Sequence, residues 1–141
     1  MEASIKKIIL ATDFSDISKD ASSHALQLAR AYQAELKVLH AFDINARNAP
    51  SSYHFIEEAR QRGKDALKEL AESFDQKVET IFTEGDPGHE IIRVAEEQNA
   101  DLIVLGTHGY TGWKRFTIGS VAELVVRHAP CAVLTIRPKG K

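Results

Sequence analysis

Cysteine is almost absent from this sequence, and long apolar runs are absent as well. Cys131 is the one cysteine, so no intrachain disulfide can form and the signature of an oxidising compartment is missing. The longest apolar stretches, such as residues 102–105, fall far short of the ~20 residues of a membrane helix. Residues 8–11 are too short for a secretory core. We therefore expect a cytoplasmic protein with no removed or inserted segment.

An excess of charge of either sign is also lacking. The sequence has 18 basic and 20 acidic side chains, which give a formal net charge of −2. Nucleic-acid binding draws affinity from basic groups that displace counterions, and a polybasic membrane patch needs a local basic run. We therefore expect neither a nucleic acid nor a membrane as a partner.

The motifs of several enzyme classes are missing. The absence of G-x-x-x-x-G-K-[ST] argues against a Walker-type NTPase, and the absence of G-x-G-x-x-G after the first strand argues against a dinucleotide fold. G-x-S-x-G and C-x-x-C are absent too, so a nucleophilic hydrolase has no support. His89 starts like the zinc motif H-E-x-x-H, but Arg93 stands where the second histidine is required. We expect no metal held by protein side chains.

What the sequence does contain is an alternation of short apolar runs and amphipathic segments. Its 141 residues, 43% apolar and 27% charged, suit a single globular domain over residues 1–141. Ser18 is the expected N-cap of the first helix. The order β-α-β-α-β-α-β-α-β implies parallel strands with right-handed crossovers and helices on both faces. The predicted strands are 5–12, 36–42, 78–82, 101–105 and 131–136. The predicted helices lie near 18–33, 55–74 and 119–128, and a further helix after the turn cluster 84–88 passes through Ile91, Ile92 and Ala95.

A ligand site is expected at the carboxyl edge of such a sheet, where the strand order reverses. Asp13, residues 40–43 and residues 106–120 follow strands at that edge, and the last segment holds four glycines and Ser120. Glycines let backbone N–H groups approach an anion, and a helix N-terminus adds further donors, so a phosphate would suit this segment. Turn formation alone explains such glycines equally well.

The glycine spacing carries a family resemblance. Gly106, Gly109, Gly119 and Ser120 fit G-x2-G-x9-G-[ST], and the whole chain resembles a single-domain universal stress protein of the UspA-like, ATP-binding type. Ala11 stands where many members have proline, which should affect turn rigidity more than chemistry. The other matching positions are residues 11–15, His40, Ala41 and Gly85.

The resemblance implies an α/β fold: an open, doubly wound, Rossmann-like sheet of five parallel strands in the order 3-2-1-4-5, like that of adenine nucleotide alpha hydrolases. It also implies binding of ATP, or of ADP or AMP, with Mg²⁺ or Mn²⁺ held mainly by the phosphates. Asp13 would hold the ribose or organise the metal side, and the backbone at Ala41 would meet the adenine edge. The implied nucleotide-binding residues are Thr12, Asp13, Ala41, Gly106, His108, Gly109, Gly119, Ser120 and Val121.

The glycine loop would serve the phosphates under the same resemblance. Gly106 and Gly109 would line the α-phosphate side, while Gly119 and Ser120 would donate to the β- and γ-phosphates. Lys114 and Arg115 lie in the same loop and could pair with phosphates, although a basic pair in a polar loop is usually only solvated.

Three of the candidate residues also have simpler structural roles. Asp13 could begin a turn or cap the first helix. Ser120 could serve as a helix N-cap. His108 could be a solvent-facing loop residue. These alternatives stay open on the sequence alone.

The expected function is a nucleotide-dependent regulatory or binding module of the stress response. No Walker aspartate or arginine-finger context is visible, so we expect no efficient turnover and at most slow hydrolysis or self-phosphorylation. A genuine ATP hydrolase or phosphotransferase and a nucleotide-free interaction protein are the alternatives.

Strand 131–136 is apolar and expected at a sheet edge, where unpaired backbone groups favour pairing with a second chain. The resemblance implies a homodimer through it, and a further protein partner of unknown identity is expected.

Overall fold

The computed structural model describes residues 4–45, 52–108 and 118–138, in which five strands alternate with four helices. The predicted alternation is confirmed, and the predicted ends differ by about one or two residues, as helix and strand ends commonly do. The elements are β1 (Lys7–Ala11), α1 (Asp16–Tyr32), β2 (Glu35–Phe42), α2 (Tyr53–Ser73), β3 (Glu79–Glu84), α3 (Pro87–Glu97), β4 (Leu102–Gly106), α4 (Ser120–His128) and β5 (Ala132–Ile136).

The five strands form one parallel sheet in the order β3-β2-β1-β4-β5, which confirms the expected topology. β1 lies at the centre, where Ile9 is aligned with Lys37 of β2 and Ile103 of β4. Parallel strands covered on both faces need apolar residues at successive positions, which explains the unbroken run in β1. β5 lies at one edge of the sheet and pairs with β4.

Successive residues of each strand enter opposite halves of the core. Ile9 and Ile103 pack with α3 and α4, whereas Ile8, Leu10 and Val104 pack with α1 and α2. The helices therefore cover both faces of the sheet, two on each. The chain leaves β1 toward β2 and enters β4 on the other side of β1, so the strand order reverses between β1 and β4.

The start of α1 differs from the prediction. Ser15, not Ser18, is the N-cap: the Ser18 N–H donates to Ser15 Oγ at 3.3 Å, and the helix begins at Asp16. Ser15 has the extended backbone that an N-cap requires, with φ −71° and ψ 168°. Ser18 instead lies inside the first turn, buried.

At the start of α4, Ser120 does not have the alternative role of helix N-cap. Gly119 is the N-cap residue, with an extended backbone, and Ser120 is the first helical residue. Gly119 lies so close to the end of β4 that a Cβ there would be 2.8 Å from the Thr107 carbonyl oxygen. Glycine is therefore required by packing at this position, which places Ser120 one residue inside the helix.

α2 packs over β2 and β3, and Gly63 faces these strands. A Cβ on Gly63 would lie 3.2 Å from Phe82 Cε2 and 3.6 Å from His40 Nε2, so the glycine inside the helix serves close packing. Across the described ranges, none of the helices has the length and apolar character needed to span a membrane.

Candidate functional site

A cleft of about 340 Å³ opens at the carboxyl ends of β1, β2 and β4. It lies on the face of the sheet that α3 and α4 cover, at the point where the strand order reverses. This is the position at which open parallel sheets bind ligands. Its lining residues are Ala11, Thr12, Asp13, Ser18, Leu39, Ala41, Pro87, Ile91, Leu105, Gly106, Thr107, His108, Gly119, Ser120, Val121 and Ala122.

The cleft brings together the residues singled out from the sequence. Every candidate that the structure describes lines it: Thr12, Asp13, Ala41, Gly106, His108, Gly119, Ser120 and Val121. Gly109, the remaining candidate, lies outside the described residues, as do Lys114 and Arg115. These residues come from three separate stretches of sequence, so the fold alone makes them neighbours.

One end of the cleft is apolar, and sequence reasoning missed most of it. Leu39 and Ala41 of β2 line this end, and Leu105 of β4 adds an apolar residue on the other side of β1. Pro87 and Ile91 from the first turns of α3 add to it. The period of two along β2 placed Leu39 on the same face as Ala41 and would have indicated it. The α3 residues carried no such signal, because only the packing of α3 against the sheet brings them there.

The other end of the cleft is polar and centres on the start of α4. The Thr107 N–H donates to the Ile136 carbonyl at 2.9 Å, and the Thr107 carbonyl accepts from the Gly119 N–H at 2.7 Å. These bonds fasten the start of α4 to the ends of β4 and β5. Within the described residues no side chain caps α4, and Ser120, Val121 and Ala122 of its first turn line the cleft. The positive end of the helix dipole therefore lies at the cleft.

His108 is buried at this polar end. Its side chain is 6% exposed, and its Nδ1 lies 2.9 Å from Thr107 Oγ1. The alternative of a solvent-facing loop residue was therefore wrong. His108 is buried because it follows the end of β4 closely, where the start of α4 packs against the chain.

Asp13 is held in a defined orientation where the chain leaves β1. Its Oδ1 accepts from the Ser15 N–H at 3.0 Å and from Ser18 Oγ at 2.7 Å. Its own N–H donates to Ser18 Oγ at 3.3 Å. Asp13 thus does begin a turn, as the simpler reading proposed, and it lines the cleft at the same time. Both of these contacts to the carboxylate engage Oδ1.

His40 contacts the same turn from outside the cleft. Its Nδ1 lies 2.8 Å from the Thr12 carbonyl oxygen, and its ring centroid lies 4.5 Å from that of Phe14. Burial lowers the pKa of His40 below 6.5, while the hydrogen bond with Thr12 and the charge of Asp13 oppose the shift. Neutral imidazole is therefore the favoured form in the folded protein.

Comparison with known proteins gives a match over nearly the whole chain. A sequence model of the universal stress protein family matches residues 4–137. A universal stress protein of Methanocaldococcus jannaschii is 39% identical over 96% of this chain and 84% of its own length. The structure of the universal stress protein UspA from Lactobacillus plantarum superposes with a TM-score of 0.78 at 30% identity, covering 96% of this chain and all of that one.

Two solved structures with the same fold are described with a nucleotide. One is a universal stress protein in complex with cAMP, with a TM-score of 0.66 at 24% identity, covering 97% of this chain and 100% of that one. The other is a universal stress protein family protein from Arabidopsis thaliana with AMP bound, with a TM-score of 0.66 at 23% identity, covering 96% and 93%. At these identities the likeness concerns the fold.

Proposed function

Because the chain belongs to the universal stress protein family, we propose that its cleft binds an adenine nucleotide, with ATP as the favoured ligand and ADP or AMP as alternatives. The protein would act in the stress response as a nucleotide-dependent regulatory or binding module. The two relatives described with cAMP and AMP support an adenine nucleotide as the class of ligand.

The observation that carries the proposal is the convergence of the candidate residues on one cleft with two chemically different ends. Leu39, Ala41 and Ile91 offer an apolar slot that suits a flat base. The start of α4 at Ser120 and Val121 offers backbone donors that suit phosphates. A volume of about 340 Å³ is within the range of small-molecule sites, roughly 300–1,000 Å³.

The proposed roles of the lining residues are those that the family resemblance implies. Asp13 would accept from the ribose hydroxyls, and the backbone at Ala41 would meet the adenine edge. Gly106 would line the α-phosphate side, and Ser120 would donate to the outer phosphates. The Gly119 N–H, expected to donate as well, is already engaged by the Thr107 carbonyl oxygen at 2.7 Å. The remaining lining candidates, Thr12, His108 and Val121, would close the cleft around the ligand, and Gly109 would complete the glycine loop.

A divalent cation, Mg²⁺ or Mn²⁺, would be held mainly by the phosphates. Among the described lining residues Asp13 is the acidic one, and its Oδ1 is engaged with Ser15 and Ser18. A site with one carboxylate suits a cation that reaches the protein already bound to a nucleotide, as Mg²⁺ commonly does.

The binding-module proposal and the enzyme alternative differ in what Asp13→Asn does. If Asp13 is a binding residue, the loss of its charge in Asp13→Asn lowers the affinity for ATP. If the protein were an efficient hydrolase or phosphotransferase, Asp13→Asn or His108→Ala would abolish turnover while leaving affinity nearly intact. A steady-state rate above about 1 s⁻¹, in the range of kinases, would favour the enzyme.

We also propose that the protein is a cytoplasmic homodimer that pairs through β5. β5 is an edge strand, and Val133 and Leu134 are only partly buried there, so a second copy would cover both backbone and apolar groups. Gel filtration with light scattering should give twice the 15.6 kDa of one chain. A monomer at micromolar concentration would contradict the dimer without affecting the nucleotide proposal.

Thermal unfolding tests the nucleotide proposal. Protein freed of bound nucleotide is unfolded with ATP, ADP, AMP and cAMP, each with and without Mg²⁺. A ligand at 100 times its dissociation constant adds about 2.7 kcal/mol of stability, which shifts the midpoint measurably. We expect ATP to raise the midpoint, and Ser120→Ala to reduce the shift. Ser23→Ala, a change at an exposed position of α1, is the control and should leave the shift unaltered.

No shift with any of the four nucleotides, and none retained through purification, would contradict the proposal. The glycines would then serve packing alone, and the nucleotide-free interaction protein would become the better account.

A further inference from the structure

We infer that His40 is a positioning residue for the proposed nucleotide site: from the opposite face of the sheet it holds the peptide unit that presents Asp13 to the cleft. The inference rests on the proposed function for what the cleft binds. The positioning itself rests on contacts within the chain, and it can be measured without a ligand.

His40 lies outside the cleft because of its place in β2. Its neighbours Leu39 and Ala41 line the cleft, and successive side chains of a strand point to opposite faces. The His40 ring therefore enters the other half of the core, between the rings of Phe14 and Phe82, at centroid distances of 4.5 and 5.9 Å. On that face of the sheet the ring contacts the turn after β1.

The contact with this turn is a directed hydrogen bond. His40 Nδ1 lies 2.8 Å from the Thr12 carbonyl oxygen, which can only accept, so Nδ1 carries the hydrogen. The other end of the same peptide unit is the Asp13 N–H, which donates to Ser18 Oγ at 3.3 Å. A peptide unit is planar, so bonds at both ends fix its orientation and the direction in which Asp13 leaves it.

The turn needs such support because of Phe14. Its backbone φ is 66°, a left-handed conformation that a bulky residue adopts only when its surroundings impose it. The Phe14 ring packs on His40, so one side chain supports both the strained residue and the peptide before it. Loss of His40 would release both contacts at once.

The consequence for binding is preorganisation. Asp13 Oδ1 is locked by Ser15 and Ser18, and His40 locks the backbone that precedes it. A site held in its binding geometry loses less freedom when the ligand arrives, which raises affinity without an added contact. His40 should therefore affect affinity although it does not touch the nucleotide.

Four variants separate this role from simple packing. His40→Leu removes the hydrogen bond, whereas His40→Asn keeps an N–H at the position of Nδ1. His40→Gln is polar but places its amide farther out, near the position of Nε2. Phe82→Leu loosens the same ring cluster and leaves the bond between His40 and Thr12 in place.

Two readouts are measured on each variant: the dissociation constant of ATP by calorimetry, and the exchange rate of the Ser15 amide, which donates to Asp13. We expect His40→Leu to weaken ATP binding about tenfold, the equivalent of ~1.4 kcal/mol and of one net hydrogen bond, and to speed exchange at Ser15. His40→Asn should restore both. Phe82→Leu should lower the unfolding midpoint and change neither.

Equal affinity and equal Ser15 exchange in His40→Leu and the unaltered protein would overturn the inference. If His40→Leu does not fold, the pair His40→Asn and His40→Gln decides: equal behaviour of the two would overturn it as well. If the unaltered protein binds no nucleotide, the proposed function fails, and exchange at Ser15 still supports or overturns the positioning role.

Discussion

The Gly119 N–H donates to the Thr107 carbonyl oxygen at 2.7 Å, and a Cβ on Gly119 would lie 2.8 Å from that same oxygen. The hydrogen bond brings the start of α4 against the end of β4 so closely that only glycine fits. This residue of the glycine motif therefore has a structural task that precedes any ligand.

We predict that Gly119→Ala destabilises the protein even without nucleotide. The new methyl group must displace a backbone carbonyl, and overpacking of this kind costs about 1–3 kcal/mol. Urea unfolding without nucleotide measures the loss. Val126→Ala, at an exposed position of the same helix, is the control and should change stability by less than about 0.5 kcal/mol. Unchanged stability in Gly119→Ala would show that the contact with Thr107 yields easily.

A side chain added at Gly106 would also clash, in this case with another side chain and not with the backbone. A Cβ there would lie 2.5 Å from Ile17 Cγ2 of α1, so Gly106→Ala should also cost about 1–3 kcal/mol. Ile17→Ala removes the obstructing group. The double variant should therefore lose less stability than the sum of the two single losses, by at least about 0.5 kcal/mol. Strict additivity in the double-mutant cycle would contradict the clash as the cause.

Ser18 should stabilise the turn that carries Asp13. Its Oγ donates to Asp13 Oδ1 at 2.7 Å and accepts from the Asp13 N–H at 3.3 Å, and Ser18 is buried. Ser18→Ala removes a hydrogen bond to a charged group, which is worth about 1.5–3 kcal/mol. Ser23→Ala on the exposed face of α1 is the matched control. If Ser18→Ala lowers the free energy of unfolding no more than the control does, Ser18 does not hold Asp13 in place.

The pKa of His40 predicts how stability depends on pH. Burial lowers this pKa in the folded state below the ordinary 6.5, so on acidification the unfolded chain takes up the proton first. The free energy of unfolding should be full above about pH 6.5 and fall below it, by at most about 1.4 kcal/mol per pH unit, until the folded pKa is passed. Urea unfolding between pH 7.5 and 5 measures this slope.

His40→Asn is the control for the pH dependence, because it keeps the hydrogen bond and removes the titration. Its slope between pH 6.5 and 5 should be smaller than that of the unaltered protein. Glu84, Asp86 and Glu90 have lowered pKa values because of Arg60, His89 and Arg93, so their contributions are lost only at more acidic pH. Equal slopes in the two proteins would mean that His40 does not titrate as described.

The fold and the centre of the site followed from local patterns. Apolar runs such as that of β1 and the glycine spacing from Gly106 to Gly119 are properties of neighbouring residues, which a sequence shows directly. The strand order required the family resemblance, because nothing within a strand states which strand lies beside it. The choice of Ser15 over Ser18 as N-cap also escaped prediction, since two serines three residues apart are equally good caps until the backbone is known.

Long-range contacts account for what the sequence could not reveal. Ile91 reaches the cleft only because α3 packs on the sheet, and its helical spacing marks it merely as a core residue. The role of His40 depends on Thr12, a residue 28 positions away. A histidine at the end of an apolar strand gives no sign of such a partner, because the partner is a backbone oxygen, which every residue has.

The central claim is that the cleft binds an adenine nucleotide, and calorimetric titration of nucleotide-free protein with ATP and Mg²⁺ tests it most directly. The account predicts saturable binding of one ATP per chain, weakened in Asp13→Asn at a temperature where that variant is still folded. A titration of folded protein that shows only the heat of dilution, and no heat of binding, would contradict the central claim.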